Sequence, residues 1–357
     1  MTRWLRILAA VLAVAAMITA CSRAGDRSVA GLANQGPAAE LRLGYFPNIT
    51  HAPALIGLAK GLFSRELGRT ALITQTFNAG PDEVNALLGG SLDAGFIGSG
   101  PAINAFAKAS GETVRLIAGA TEGGAQLVVR PGITSPTQLK GRTIATPQLG
   151  NTQDIALKKW LKEHQLRQGT DPDAVSVANL DNPRTLDAFR QGSVDGGWLP
   201  EPWSSRLVSE AGATVLVDEK ALWPDGKFPT TVLLVRTEFL ARHPDTVRAL
   251  LRGHLRAIDF AAANPAEAKT VINEQVRKVT GNSLSAPVLD RAFAGITLDP
   301  DPLAARFPQL AKDSATAGVT EQPADLSGFL DLALLNAELR AAGRPTVDAA
   351  GLDQPLR

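Results

Sequence analysis

Four short stretches of this chain gather residue types that can hold a small ligand. Asn48, Thr50 and His51 follow an apolar run ending at Phe46; Ser99 and Gly100 follow another ending at Gly98; Asn151, Thr152 and Gln153 follow Gly150. Amide, hydroxyl and imidazole groups supply hydrogen-bond donors, and glycine lets a backbone come close. Each stretch stands where a strand pattern passes into a helical one. A helix start offers free N–H groups and the positive end of a dipole, which suits an anion with several acceptor oxygens. None of these three stretches contains Lys or Arg, and with enough N–H and hydroxyl donors none is needed. Local roles compete: Ser99 and Thr50 can cap a helix, and His51 can donate to an anion or bond a nearby carbonyl.

The fourth stretch, Glu201, Pro202 and Trp203, is of another kind. A carboxylate repels an anionic head. Glu201 would therefore meet an amine, a hydroxyl or an N–H at the far end of a ligand, or else answer the dipole at a helix start. Trp203 can cover an aliphatic chain or serve as ordinary packing. Trp198 reads as core and Tyr45 and Trp223 as further wall candidates, while His164, His243 and His254 have no partners in sequence and read as surface or core residues.

An internal repeat relates two of these stretches. Residues 81–97 align without a gap on 183–199. Each copy has Pro at a helix start, apolar residues at helical spacing, Gly at the helix end and a short apolar strand. The copies then diverge, into Ser99-Gly100-Pro101 and Glu201-Pro202-Trp203, so Ser99 and Glu201 hold equivalent positions. One unit used twice predicts two similar lobes, with a ligand held between unlike loops. Strand patterns at 41–46, 71–77, 114–118, 126–129, 143–146, 175–180, 214–217 and 231–235 alternate with helical ones at 52–67, 102–109, 150–166, 201–211 and 245–262. This alternation predicts an α/β protein with mostly parallel sheets. Boundaries are expected near Pro131 and Phe228. Lobe 1 would comprise 40–131 and 229–340, lobe 2 would comprise 132–228, and a polar tail over 341–357 would be loose. Two chain crossings would form a hinge.

At 357 residues the chain is long enough for two lobes. A net charge of +1 and 5% aromatic residues give neither the basic face nor the stacking platforms of a nucleic-acid binder. Arg3 and Arg6 precede an uncharged apolar run over 7–18, short for a membrane span, which leads into Ile18-Thr19-Ala20-Cys21. Residues 1–21 read as a lipoprotein signal peptide with Cys21 the lipid-bearing residue, and 22–39 as a flexible tether. A plain secretory signal with a chance Cys is the alternative. Cys21 is the only Cys in the chain, which leaves no thiol nucleophile and no disulfide. The sequence has no Gly-rich phosphate loop, His-rich metal spacing or nucleophile elbow.

The run from Leu41 through Gly44-Tyr45-Phe46-Pro47-Asn48 to Ala52 resembles the opening of solute-binding proteins for nitrate, sulfonate and taurine-type ABC importers. So do Gly150-Asn151-Thr152-Gln153-Asp154-Ile155-Ala156, Gly192-Ser193-Val194-Asp195-Gly196 and Trp198-Leu199-Pro200-Glu201-Pro202-Trp203. The resemblance runs over about 40 to 320 and is nearest to aliphatic-sulfonate-binding lipoproteins. It implies a two-lobed periplasmic-binding-protein-like fold (type II) with the ligand cleft between the lobes. It implies a monomer, lipid-anchored outside the bacterial cell membrane, that captures a small organic anion and delivers it to an ABC transporter permease, without cofactor, catalysis or nucleic acid. An aliphatic sulfonate is the first choice of ligand; nitrate, bicarbonate, taurine and a thiamine-pyrimidine or flavin precursor are the alternatives. The resemblance also adds weight to Asn151, Thr152 and Gln153 as ligand contacts. Desulfinase-like and thiamine-pyrimidine-synthase-like enzymes share this fold. They use a Cys nucleophile, or a Cys-rich iron motif with a PLP-linked His, and the only Cys here lies in the lipobox.

Overall fold

The computed structural model describes residues 33–354, so the signal segment with Cys21 and the tether before residue 33 lie outside the described residues. The first lobe opens with β1 (Glu40–Tyr45), α1 (Ala52–Ala59), α2 (Leu62–Leu67), β2 (Ala71–Thr76), α3 (Gly80–Leu88), β3 (Ala94–Gly98), α4 (Ser99–Lys108) and β4 (Val114–Gly123). The apolar run expected as one helix over 52–67 breaks at Lys60 and Gly61, where a left-handed φ of 62° redirects the chain into α2. The chain then crosses into β5 (Ala125–Val129), β6 (Thr143–Thr146), α5 (Thr152–Glu163), β7 (Ser176–Asn179), α6 (Asn182–Gln191), β8 (Gly196–Pro200), α7 (Trp203–Ala211) and β9 (Thr214–Asp218). It returns through β10 (Pro229–Arg236), α8 (Thr237–Arg242), α9 (Pro244–Ala263), α10 (Pro265–Thr280), α11 (Ala286–Ala294), β11 (Ile296–Leu298), α12 (Phe307–Thr316) and α13 (Ala333–Ala341).

Two sheets result, in the orders β11-β4-β10-β3-β1-β2 and β7-β6-β8-β5-β9. They share one plan. Three parallel strands, β2-β1-β3 and β7-β6-β8, are followed by an antiparallel strand that arrives from the other lobe: β10 beside β3, and β5 beside β8. The repeat builds the equivalent helix and third strand in each. Its shared Asp does the same work twice. The Asp93 Oδ2 accepts the Arg42 N–H at 2.9 Å, and the Asp195 Oδ2 accepts the Thr143 N–H at 2.9 Å. The two Asp N–H groups donate back to the carbonyls of the same residues, at 2.9 and 2.7 Å. A carboxylate accepting a backbone N–H is a strong, directional clip, and here it pins the third strand to the start of the central one. Phe96 and Trp198, each directly after the shared Gly95 or Gly197, are fully buried in the two cores.

The boundary expected near Pro131 falls earlier. β5 pairs antiparallel with β8 and β9, so 125–129 belong to the second sheet, and the crossing is Gly123-Gly124. Both glycines have left-handed φ, 69° and 74°, a turn that other residues adopt only under strain. The second crossing lies beside it: the Gly123 N–H donates to the Phe228 carbonyl at 2.9 Å, just before β10 begins. The end of the tether is also held rather than free. The Gln35 N–H donates to the Arg242 carbonyl and the Ala38 N–H to the Thr246 Oγ, at 2.7 and 2.8 Å. The tail over 342–354 is likewise packed. Val347, Ala349 and Leu352 rest on the first core, and the Leu330 N–H donates to the Leu352 carbonyl at 3.1 Å. In both segments apolar side chains find lobe 1 within reach, which outweighs their polar composition. No helix among the described residues is long and apolar enough to cross a membrane.

Candidate ligand-binding site

Between the lobes lies a small cavity. Lobe 1 contributes Phe46, Asn48, Thr50, His51, Asn78, Gly98, Thr230 and Thr231; lobe 2 contributes Asn151, Thr152, Gln153, Asn182 and Pro200. Six of the residues singled out from sequence, Asn48, Thr50, His51, Asn151, Thr152 and Gln153, thus meet here from opposite sides. Among the described residues, no lining side chain carries a fixed charge. Four α-helices of eight or more residues start at this cavity: α1 after His51, α4 after Gly98, α5 at Thr152 and α6 at Asn182. Their free N–H groups and dipoles give it a positive character without a cation.

His51 is buried and in contact with Phe46, with ring centroids 4.3 Å apart. Its Nδ1 accepts the Phe46 N–H at 3.2 Å. Burial lowers its pKa to about 3, so the imidazole is neutral, and with Nδ1 accepting, the proton sits on Nε2. His51 is therefore a donor that adds no charge. On the facing lobe, the 150–153 loop is shaped by a residue that sequence reasoning passed over. Asp154, fully buried, accepts the Gly150 N–H at 2.9 Å, the Thr146 hydroxyl at 3.0 Å, an Asn179 amide N–H at 2.9 Å and Lys158 Nζ at 2.7 Å. Its position in the first turn of α5 was the available signal. The Asn151 side-chain amide donates to the Gln153 Oε1 at 3.0 Å, leaving the Gln153 amide hydrogens for a ligand. Asn182, also passed over, is buried with its Oδ1 unpartnered among the described residues. Its place just before the repeated Pro, opposite Gly80 in the other copy, marked it as a second point of divergence.

The remaining four residues take other places. Ser99 is the first residue of α4 rather than its cap, which is Gly98; its hydroxyl is buried and unpartnered among the described residues. The Gly100 N–H donates to the Thr152 Oγ1 at 3.2 Å, one of the contacts that join the lobes. Trp203 reaches the site through Asn48, its indole N–H donating to the Asn48 Oδ1 at 3.0 Å across the cleft. Glu201 is 1% exposed and lines no part of the cavity. Its Oε2 accepts the Ser205 N–H at 3.1 Å and its Oε1 the Arg291 guanidinium at 3.2 Å. The helix-start role considered for it is thus realised, with an ion pair added. A carboxylate and an arginine 90 positions apart meet only through lobe packing.

On the other side of Thr152 a second small pocket is lined by Ile155, Leu222, Trp223, Phe228 and Leu310, with Lys159, Glu219 and Asp313 among its polar residues. Lys159 of lobe 2 stands 3.9 Å from Asp313 of lobe 1. Burial pushes the Glu219 carboxyl up to about 8, opposed by the Trp198 indole N–H that donates to its Oε2 at 2.9 Å.

Two lobes of matching topology, two adjacent crossings and a donor-lined cavity between them give the two-lobed fold of periplasmic solute-binding proteins. Residues 34–274 match the NMT1-like family, and the chain belongs to that family. It is similar to the taurine-binding periplasmic protein of Escherichia coli (strain K12), at 29% identity over 241 residues that cover 67% of this chain and 71% of that protein. Among solved structures it is similar in fold to the alkanesulfonate-binding protein SsuA from Xanthomonas axonopodis pv. citri bound to MOPS, with a TM-score of 0.63, 23% identity and coverage of 79% of this chain and 92% of that one. It is also similar in fold to the periplasmic nitrate-binding protein NrtA from Synechocystis PCC 6803, with a TM-score of 0.70, 15% identity and coverage of 86% and 90%.

Proposed function

We propose that this protein is an extracytoplasmic lipoprotein, anchored through Cys21, that captures an aliphatic sulfonate and hands it to an ABC importer permease. The observation that carries this reading is the inter-lobe cavity, where helix starts and neutral donors converge without a fixed charge. A sulfonate is a monoanion at any physiological pH and has three acceptor oxygens to share among such donors. The buried, neutral His51 supports a ligand that needs donors rather than a counter-ion. The names of the relatives point the same way: taurine and alkanesulfonate both carry a sulfonate head.

The test is a thermal-shift series on the chain from Ser22 onward, produced without lipid, against ethanesulfonate, longer alkanesulfonates, taurine, nitrate, bicarbonate and a thiamine-pyrimidine precursor. A ligand at 100 times its Kd stabilises the fold by about 2.7 kcal/mol, a shift easily read. Stabilisation by alkanesulfonates is the expected result. No response to any sulfonate, with a clear shift from nitrate, bicarbonate or the pyrimidine, overturns the sulfonate assignment.

A further inference from the structure

The position of Glu201 says more about the ligand than its residue type does. Arg291 comes from α11, whose Leu289 and Ala292 belong to the core of lobe 1. Its guanidinium reaches into lobe 2 and makes three bonds there. Nη1 donates to the Glu201 Oε1 at 3.2 Å and to the Ser205 Oγ at 2.8 Å, and Nη2 donates to the Gln126 Oε1 at 2.5 Å. These partners sit on the end of β8, the first turns of α7 and the start of β5, all next to the crossing: the Glu201 N–H itself donates to the Gly124 carbonyl at 2.8 Å. One side chain thus ties lobe 1 to three elements of lobe 2 beside the hinge.

We propose that Arg291 is a clasp across the hinge, and that its pairing with Glu201 withdraws the one acidic group of the cleft loops from the ligand, so that the site selects a sulfonate without an ammonium group. This rests on the sulfonate reading above. Both Glu201 oxygens are occupied, one by the guanidinium and one by the Ser205 N–H. Three further carboxylates beside the cleft are engaged too. Asp154 has four donors, Asp313 accepts from Gln309 at 2.8 Å and faces Lys159, and Glu219 accepts from Trp198. An ammonium closed into this cavity loses its water and finds no counter-charge, which costs far more than the loss of one neutral hydrogen bond. Discrimination of this kind comes from what the site withholds.

The experiment is calorimetric titration of wild type, Glu201→Gln and Arg291→Gln with ethanesulfonate and with taurine, which differ by an amino group. Hydrogen exchange over 200–206 is measured on the same proteins without ligand. Wild type is expected to bind ethanesulfonate at least tenfold more tightly than taurine, since unpaired burial of a cation exceeds one decade in affinity. Glu201→Gln should weaken both ligands by the same factor. Arg291→Gln should free the carboxylate and narrow the ratio. Taurine bound more tightly than ethanesulfonate by wild type, with Glu201→Gln losing taurine selectively, overturns the proposal. If neither sulfonate binds, the functional reading fails, and the clasp is judged by exchange alone. Arg291→Gln should speed exchange of the Ser205 amide, and unchanged exchange refutes the clasp. Should Arg291→Gln not fold, Arg291→Met, which keeps the apolar stem and removes the charge, carries the same comparison.

Discussion

Gly98→Ala should separate ligand binding from folding. Gly98 ends β3 on the cavity wall, with φ −67° and ψ 150°, a conformation that alanine adopts freely. Within lobe 1 the change is therefore tolerated, and by restricting the unfolded chain it adds about 0.4–1 kcal/mol of stability. Across the cleft it is not. A Cβ at Gly98 would stand 2.5 Å from the Thr152 Oγ1, while its other near neighbours lie at 3.5 Å or beyond. Thr152 must rotate or the lobes must part. Rotation forfeits the Gly100 N–H bond to that hydroxyl, worth about 1 kcal/mol. Residual crowding brings the cost of closure to about 1–3 kcal/mol. At 1.4 kcal/mol per decade, affinity for ethanesulfonate should fall by about 5- to 150-fold, while unfolding of the ligand-free protein is unchanged or slightly raised. Thr152→Ala alone loses the bond and about fivefold in affinity. In the double variant the threonine arm that meets the new methyl is gone, so Gly98→Ala/Thr152→Ala should bind no worse than Thr152→Ala. Titration calorimetry and denaturant unfolding read both quantities. Wild-type affinity in Gly98→Ala, or a full additive loss in the double variant, would refute closure through this contact.

Two further predictions concern pH and location. Glu219, at about 8 in the fold against 4.5 in a free chain, keeps its proton where the unfolded chain loses it. Its contribution to stability is therefore present below pH 4.5 and is lost as pH rises toward 8. The upper bound on that loss is about 5 kcal/mol. Glu83, buried and likewise held well above its ordinary value, adds to the decline. His51 and His254, lowered to about 3 and about 4 from 6.5, act oppositely: they cost stability as pH falls through 6.5. Denaturant unfolding across pH 4–9 should show a maximum on the acid side of neutrality, and Glu219→Gln should flatten the decline above it; an unchanged slope in that variant refutes the assignment. Cys21→Ala should move the protein from the membrane fraction to the soluble one, read by fractionation and blotting, and unchanged membrane association would refute the anchor.

The cavity was more legible than its surroundings. Donor-rich loops at strand-to-helix junctions are local: Gly150-Asn151-Thr152-Gln153 makes its helix start from its own residues, so pattern alone finds it. The first loop, with Asn48, Thr50 and His51, is local in the same way. Glu201 and Ser99 were harder. The repeat pairs them as equivalent positions, yet neither lines the cavity: the Ser99 hydroxyl is buried without a partner among the described residues, and Glu201 pairs with Arg291 of the other lobe. The boundary at Gly123-Gly124 was hidden because β5 reads like any other apolar strand, and which sheet it joins depends on partners β8 and β9, which come about 70 and 90 residues later in sequence. Asn182 and Asp154 show the middle case: each carried a signal in its place at a helix start, but only packing made one a cavity wall and the other a loop anchor.

The sequence by itself determined two similar α/β lobes, the helix starts that face one another and the neutral donors on them, since periodicity, helix punctuation and the repeat act over a few residues. Only the tertiary structure decided which groups those donors answer to. It neutralised His51 by burial, gave the Glu201 carboxylate to Arg291, and put the hinge at two glycines. Such outcomes depend on desolvation and on partners far apart in the chain, and those are set when the lobes fold and dock.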